Sequence, residues 1–252
     1  MHEVTSAGLV GAIRHLYPSA RVTGWGGGQP IEGAHGVMLS VNSIDIAVAS
    51  RQAPAPAQAF DGGNQPNFYW QDAKADIKQH KSHVSVIEAA AGESSRGIER
   101  ASAVTLVVDS ISHLTQPMGV MWVGAKNLVR ADHFAKLMDG FRGGRSLPIG
   151  LWIRLLIAPL PPTAAGGAPD TVAGTFGLQF FGSRNIEVHA TRLTIPECLS
   201  AALSYAEGKL TTGQPTWNEA TTTIEDVATF EIERLNNGLF GVGPVAKLTQ
   251  SR

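Results

Sequence analysis

The chain is poor in the features that define several protein classes. It has one cysteine, Cys198, among 252 residues, which excludes an intramolecular disulfide. Only 16% of its residues are charged and its formal net charge is −1, which argues against a protein that binds nucleic acid along its whole surface. The longest apolar run, Leu155 to Leu160, is far shorter than the roughly 20 residues that span a bilayer. We therefore expect no nucleic-acid or membrane partner.

The N-terminal segment lacks the pattern of a secretory signal. Glu3 and Arg14 flank the apolar positions from Val4 to Ile13, and no basic region precedes a continuous apolar segment. Together with the single cysteine, this predicts a cytoplasmic protein. Cys198 itself lies in a helical pattern, which predicts a small buried apolar side chain.

Helical and strand periodicities alternate along the chain. Apolar spacing predicts helices over Val4–Leu16, Asp72–Gln79, Gly97–Leu114, Ala131–Phe141 and Thr194–Leu210. Strands are predicted over Val37–Val41, Ile44–Ala49, His83–Ala90, Met118–Val123, Ile149–Ala158, Val172–Phe181, Asn185–Ala190, Thr221–Ile224, Ala228–Arg234 and Val245–Thr249. A β-α-β-α-β core followed by a hairpin, a helix and C-terminal strands predicts an α+β fold with mixed or mostly antiparallel sheets.

The segment from Pro159 to Pro169 is rich in proline, alanine and glycine. Predicted strands flank it on both sides, which favours a long hairpin loop over a domain linker. We therefore expect residues 1–252 to form a single α+β domain. The alternative is two lobes, 1–160 and 170–252, joined by the loop 159–169.

His80 and His83 are the candidate metal ligands. Their three-residue spacing can place two imidazoles on one side of a helix end. No cysteine and no H-E-x-x-H motif accompanies them, and His83 lies where a strand is predicted to begin. We therefore predict no metal or other cofactor, and these two histidines remain as the basis of an alternative enzyme hypothesis.

Nucleophilic catalysis has two other candidate sets. Asp109, Ser110, Ser112 and His113 contain the residue types of a hydrolase triad, but triads are assembled from distant segments and no G-x-S-x-G motif is present. Cys198 lies within a predicted helix, where nothing in the sequence lowers its pKa. The prediction is a protein without catalytic activity.

Four motifs in a fixed order carry a family resemblance. They are Trp70-Gln71-Asp72-Ala73, His80-Lys81-Ser82-His83-Val84-Ser85-Val86, Met118-Gly119-Val120-Met121-Trp122-Val123-Gly124-Ala125, and Gly177-Leu178-Gln179-Phe180-Phe181-Gly182-Ser183-Arg184-Asn185-Ile186-Glu187-Val188. In this order the chain resembles, over roughly residues 35–249, the bacterial family called domain of unknown function 4261. The last third also resembles suppressor-of-fused-like domains. The N-terminal sixty or so residues match poorly.

The resemblance implies an interaction module of bacterial competition. Families of this kind commonly occur beside polymorphic toxins and contractile secretion systems, including type VI secretion, where such domains are suspected immunity proteins. The functional expectation is therefore an immunity protein that binds and neutralises a cognate toxin. The alternatives are an enzyme using His80 and His83, and an accessory or chaperone protein of a secretion system.

Charge distribution supplies a physical argument for binding. Between Leu193 and Phe240 acids outnumber bases by seven to two, and an acidic face would steer association with a basic partner. An ordinary solvated face would have the same composition. The predicted partner-binding residues are Glu219, Glu225, Asp226, Glu231 and Glu233.

Overall fold

The structure is a computed structural model that describes residues 4–25, 35–56, 60, 67–89, 97–160, 171–190, 192–212, 220–224 and 227–251. Helices and mostly antiparallel strands make up this part of the chain, so the predicted α+β class is confirmed. The helices are α1 (Ser6–Leu16), α2 (Ala73–Asp76), α3 (Gly97–Thr115), α4 (Ala131–Arg142), α5 (Ile149–Trp152) and α6 (Ile195–Thr212). Short 3-10 turns cover Ile77–Gln79 and Leu178–Phe181.

The strands form two larger sheets and one hairpin. The four-stranded sheet contains β1 (Val22–Trp25), β2 (His35–Val41), β3 (Ile44–Arg51) and β4 (His83–Glu88), in that order. The hairpin pairs β5 (Gly119–Trp122) with β6 (Asn127–Arg130). The remaining strands are β7 (Arg154–Pro159), β8 (Thr171–Phe176), β9 (Asn185–Ala190), β10 (Thr221–Ile224), β11 (Ala228–Leu235) and β12 (Val245–Gln250).

The chain divides into two compact units that interleave in sequence. Unit 1 contains residues 1–61, 72–121 and 128–146, and unit 2 contains residues 62–71, 122–127 and 147–252. The four-stranded sheet belongs to unit 1 and the six-stranded sheet to unit 2. Strands β7 and β8, which flank residues 161–170, pair antiparallel, as expected of a hairpin.

Unit 1 packs α1 and α3 against its sheet. Alternation along β3 directs Ile44, Ile46 and Val48 into the core, and all three are buried. Each fully buried side chain of this size stabilises the fold by roughly 1.5–3 kcal/mol. The tight turn between β2 and β3 has positive φ at Asn42 and Ser43, which matches the right-handed twist of a hairpin.

Unit 2 is built on a six-stranded sheet in the order β10-β11-β12-β9-β8-β7. The β12–β9 pair is parallel, and the other neighbours are antiparallel. Helix α6 packs against β8 and β9. One face of this sheet presents apolar residues in register across four strands, and such a face must be buried against another element. These residues are the buried Ala173, Val188 and Leu248 and the half-buried Ile232.

Three predicted elements differ in the structure. The apolar run predicted as one strand over Ile149–Ala158 begins with the helical turn α5, and β7 follows at the edge of its sheet. The predicted strand His83–Ala90 is the half-buried edge strand β4, where the side chain of Ile87 is 60% exposed. The predicted strand Val172–Phe181 ends at Phe176, where Gly177 adopts a φ of 128° and a 3-10 turn begins.

Helix α3 buries only part of the apolar stripe that helical spacing predicts for it. Within that stripe Ala101 and Ile111 are buried, whereas Val104 and Val108 are half-buried. The buried face also contains the polar residue Asp109. No helix in the described ranges is long and apolar enough to cross a membrane.

Candidate functional site

The candidate site lies on strand β11 of unit 2. Phe230 is fully buried, while Glu231 and Glu233 are exposed. Because side chains alternate along a strand, the two glutamates share the face of the sheet opposite to Phe230. Two of the five predicted partner-binding residues therefore lie side by side on an exposed surface.

Neighbouring strands extend this surface with short polar side chains. Glu231 is in register with Thr221 of β10 and with Thr249 of β12. Thr223 and Thr229 are also opposite each other, and their hydroxyl oxygens are 3.0 Å apart. We refer to Thr221, Thr223, Thr229, Glu231 and Glu233 as the acidic strand face.

The two glutamates differ in their electrostatic surroundings. Lys247 Nζ donates to Glu233 Oε2 at 3.2 Å, and the two side chains are 28% and 60% exposed. Such exposed pairs contribute little to stability, typically about 0–1 kcal/mol, but Lys247 offsets the charge of Glu233. Within the described residues, Glu231 has no ion pair, so none of these residues offsets its charge through an ion pair.

The other three predicted residues, Glu219, Glu225 and Asp226, lie outside the described residues. In sequence they flank β10 on both sides. Of the five predicted partner-binding residues, the structure therefore describes two, Glu231 and Glu233, and both lie on the acidic strand face.

A buried carboxylate lies farther along the same face. Glu187 of β9 is in register with Lys247, yet it is only 1% exposed. Its Oε2 is 3.3 Å from His189 Nε2, and its Oε1 accepts a hydrogen bond from the backbone amide of Phe240 at 3.3 Å. Apolar and polar residues alternate along β9, which puts Glu187 and His189 on its polar side, but this pattern does not reveal that the loop between β11 and β12 covers Glu187.

That covering loop is held closely against the sheet. A Cβ atom added to Gly238 would lie 2.2 Å from Glu187 Oε1, and one added to Gly174 would lie 2.4 Å from the ring of Phe240. Both positions therefore require glycine for the approach. A carboxylate that orients an imidazole can prepare that imidazole to act as a general base. Here, however, the other oxygen of the Glu187 carboxylate accepts a hydrogen bond from the loop backbone. The arrangement ties the loop to the sheet.

The two candidate metal ligands of unit 1 are used by the backbone. Ala55 N–H donates to His80 Nε2 at 2.6 Å, so the His80 Nδ1–H faces the Ile77 carbonyl oxygen. His83 Nδ1 lies 2.8 Å from the Ala53 carbonyl oxygen. His80 thus has its metal-binding lone pair engaged, and both histidines anchor the segment that follows β3. In the part of the chain that the structure describes, no group of three histidine, cysteine or carboxylate side chains could hold a metal ion.

A buried ion-pair network in unit 1 contains Asp109, one of the four residues considered above for a hydrolase triad. Asp109 is fully buried, and Arg142 donates to both of its carboxylate oxygens at 2.7 and 2.8 Å. Tyr17 Oη–H donates to the same carboxylate at 2.7 Å. Burial, and then this hydrogen bond, raises the pKa of Tyr17 above its ordinary value, and the bonds to Asp109 raise the pKa of Arg142.

The remaining members of that set are not arranged around a nucleophile. Ser110 Oγ donates to the Leu106 carbonyl oxygen and Ser112 Oγ to the Asp109 carbonyl oxygen, at 2.9 and 2.7 Å. Arg142 Nη2 is 2.7 Å from His113 Nε2, which must accept because a guanidinium only donates. Both serine hydroxyls are therefore bonded to the helix backbone, and Asp109 orients an arginine and a tyrosine.

Cys198 lies in the first turn of α6 and is fully buried. Burial, together with the charge of Glu197, raises the pKa of its thiol, which opposes formation of the nucleophilic thiolate. Thr194 and Glu197 form a capping box at the start of this helix, because Glu197 accepts from both the backbone amide and the hydroxyl of Thr194, at 2.7 and 2.6 Å.

Comparisons with known proteins give no match: no protein-family model, curated protein or solved structure is similar to this chain.

Proposed function

We propose that this protein acts by binding another protein without catalysis, and that its partner is a bacterial toxin with a basic surface. In this proposal it is an immunity protein that neutralises the toxin. The observation that supports it is the placement of Glu231 and Glu233 beside each other on the exposed acidic strand face. Complementary charge speeds encounter with a basic cleft and favours the correct partner.

The chemistry of the acidic strand face suits recognition. Glu231 is exposed and unpaired among the described residues, and the threonines around it are short and neutral. A lysine or arginine of the partner could therefore approach Glu231 without displacing an internal cation. Lys247 beside Glu233 would restrict the position of that basic group through like-charge repulsion.

The test is co-purification of the tagged protein from its native cells, with the bound proteins identified by mass spectrometry over a range of salt concentrations. We expect one stoichiometric partner that dissociates as salt rises, because exposed charges are screened. Glu231→Lys should lose this partner. The matched control is Glu207→Lys, which makes the same charge change on α6 in the same unit.

The immunity role has its own readout. Expression of the partner in a sensitive host should arrest growth, and co-expression of the wild-type protein should restore it, while Glu231→Lys should restore it poorly. If Glu231→Lys binds the partner with the affinity and salt dependence of the wild type, the acidic strand face is not the contact. A partner without toxicity would contradict the immunity role but not the binding role.

A further inference from the structure

Strand β10 forms one edge of the six-stranded sheet. Among the described residues, β11 is its only strand neighbour. The opposite edge, β7, ends in Pro159, and proline at an edge blocks the addition of another strand. The four residues of β10 are three threonines and an isoleucine, so this edge has neither proline nor charge within the strand.

The register shows which backbone groups of β10 face outward. Ile232 N–H donates to the Ala220 carbonyl oxygen at 2.9 Å, one position beyond the paired residues Thr221 and Glu231. Hydrogen-bonded and non-hydrogen-bonded pairs alternate in an antiparallel ladder. The N–H and C=O groups of Thr221 and Thr223 therefore point away from β11, and both residues are exposed.

We infer that β10 is the docking edge for an extended, lysine- or arginine-bearing segment of the partner, which adds a seventh strand to the sheet. This inference rests on the proposed function and specifies how the acidic strand face would be used. Backbone hydrogen bonds to Thr221 and Thr223 supply affinity in this binding mode, and alternating side chains supply specificity.

Charge argues for a basic occupant. Glu231 is in register with Thr221 on the same face of the sheet. A side chain of the added strand opposite Thr221 would be two strands, about 10 Å, from the backbone of Glu231. Lysine or arginine can cover that separation across the short threonine, and its ammonium or guanidinium group would meet the Glu231 carboxylate, which has no ion pair in the described part of the chain.

The acidic residues that flank β10 in sequence argue against a second copy of this chain as the occupant. Glu219 precedes β10 by two residues, and Glu225 and Asp226 follow it directly. Antiparallel pairing of β10 with β10 of another copy would bring these acidic segments together, and like charges across strands are destabilising. The sequence around β10 therefore disfavours self-association and favours a cationic strand.

The experiment uses the full chain and a fluorescent peptide of about eight residues in which lysine alternates with valine, a strand-length probe. Binding is measured by fluorescence anisotropy. We expect saturable binding to the wild type, binding within about twofold for Thr223→Ala, which keeps the backbone donor, and binding at least tenfold weaker for Thr223→Pro, which removes it. Glu231→Gln should weaken binding severalfold and reduce its salt dependence.

A second probe leaves the protein unchanged, which matters if Thr223→Pro does not fold. The same peptide is N-methylated at alternate amides in two versions. One version methylates the lysine amides and the other the valine amides, so each blocks the hydrogen-bond donors of one edge of the peptide strand. Strand addition predicts that one version binds like the parent and the other does not. Equal binding of both versions, wild-type affinity of a folded Thr223→Pro variant, or no binding of the parent peptide would each overturn the inference.

These outcomes are separable from failure of the proposed function. If strand addition fails but Glu231→Lys still releases the co-purified partner, the acidic strand face binds in another way and the proposed function stands. If the peptide binds as expected and no toxic partner is found, the docking edge is supported and the immunity role fails.

Discussion

Among the described residues each unit buries one carboxylate, and the two carboxylates are satisfied differently. In unit 1, Asp109 receives two hydrogen bonds from the guanidinium of Arg142 and one from Tyr17. In unit 2, the partners of Glu187 within the described residues are the backbone amide of Phe240 and the imidazole of His189, both at the longer distance of 3.3 Å. The Asp109 arrangement pairs a carboxylate with a guanidinium, whereas the Glu187 arrangement holds the loop between β11 and β12.

The difference suggests a division of roles between the units. A buried carboxylate held by two hydrogen bonds from Arg142 and one from Tyr17 makes unit 1 sensitive to the loss of either charge, because removal of one partner leaves the other charge uncompensated. The Glu187 pair is weaker and lies on the same sheet face as Lys247 and Glu233. We therefore expect unit 1 to depend on its buried charge for stability, and unit 2 to use its charges mainly at the surface.

The largest expected effect is that of Asp109→Ala. It leaves Arg142 and Tyr17 without their acceptor, and loss of one partner of a buried pair costs about 3–5 kcal/mol. Because the Arg142 side chain is 23% exposed, we expect the lower end of that range. Urea unfolding measures the loss of free energy. Asp139→Ala removes the exposed acid that pairs with the same arginine and should have little effect; equal effects of both variants would refute the comparison.

A smaller effect is expected for Glu187. Glu187→Leu leaves the Phe240 amide without its acceptor inside the protein, which costs about 1–3 kcal/mol. Glu187→Gln keeps an oxygen that can accept from this amide, so its loss of unfolding free energy should be smaller. Hydrogen exchange of residues 236–244, followed by mass spectrometry, should rise in Glu187→Leu and less in Glu187→Gln. Unchanged exchange in both variants would mean that Glu187 does not hold the loop.

The fold follows from the sequence where local patterns decide the structure. Alternation along β3 and β11 predicts which side chains are buried and which are exposed, and the capping residues predict the start of α6. The same alternation places Glu231 and Glu233 on one exposed face, so this half of the candidate site could be predicted. Glu187 could not, because its burial depends on a loop about fifty residues later in the chain.

Distant side chains also explain the misassigned segment before β7. Residues 149–153 are apolar enough for a strand, but the buried Asn127 side chain donates to the carbonyl oxygens of Gly150, Leu151 and Ile153 at 2.7–3.1 Å. These bonds satisfy carbonyl groups at the end of the helical turn α5 that would otherwise lack partners. No local pattern reports a partner more than twenty residues away.

The single acid in the apolar run from Leu106 to Ile111 was the available signal that Asp109 has a buried partner.

The smallest expected effect, counted per pH unit, concerns two tyrosines, one in each unit, at alkaline pH. Burial raises the pKa of Tyr69 to about 12, and burial together with Asp109 raises the pKa of Tyr17. Unfolded tyrosine loses its proton near pH 10, while the folded groups retain theirs. The unfolded state therefore binds fewer protons above pH 10, and stability falls as pH rises, by at most about 1.4 kcal/mol per pH unit for each tyrosine.

Phenylalanine variants separate the two contributions. Tyr69→Phe should lessen the loss of unfolding free energy between pH 10 and 12 while changing it little at pH 7. Tyr17→Phe should also lessen the alkaline loss, but it should lower stability at pH 7 by about 1 kcal/mol because Asp109 loses a hydrogen-bond donor. Urea unfolding at pH 7, 10 and about 11 measures both effects. If Tyr17→Phe is as stable as the wild type at pH 7, Arg142 alone satisfies Asp109, and the contrast between the two buried carboxylates reduces to the presence of an arginine.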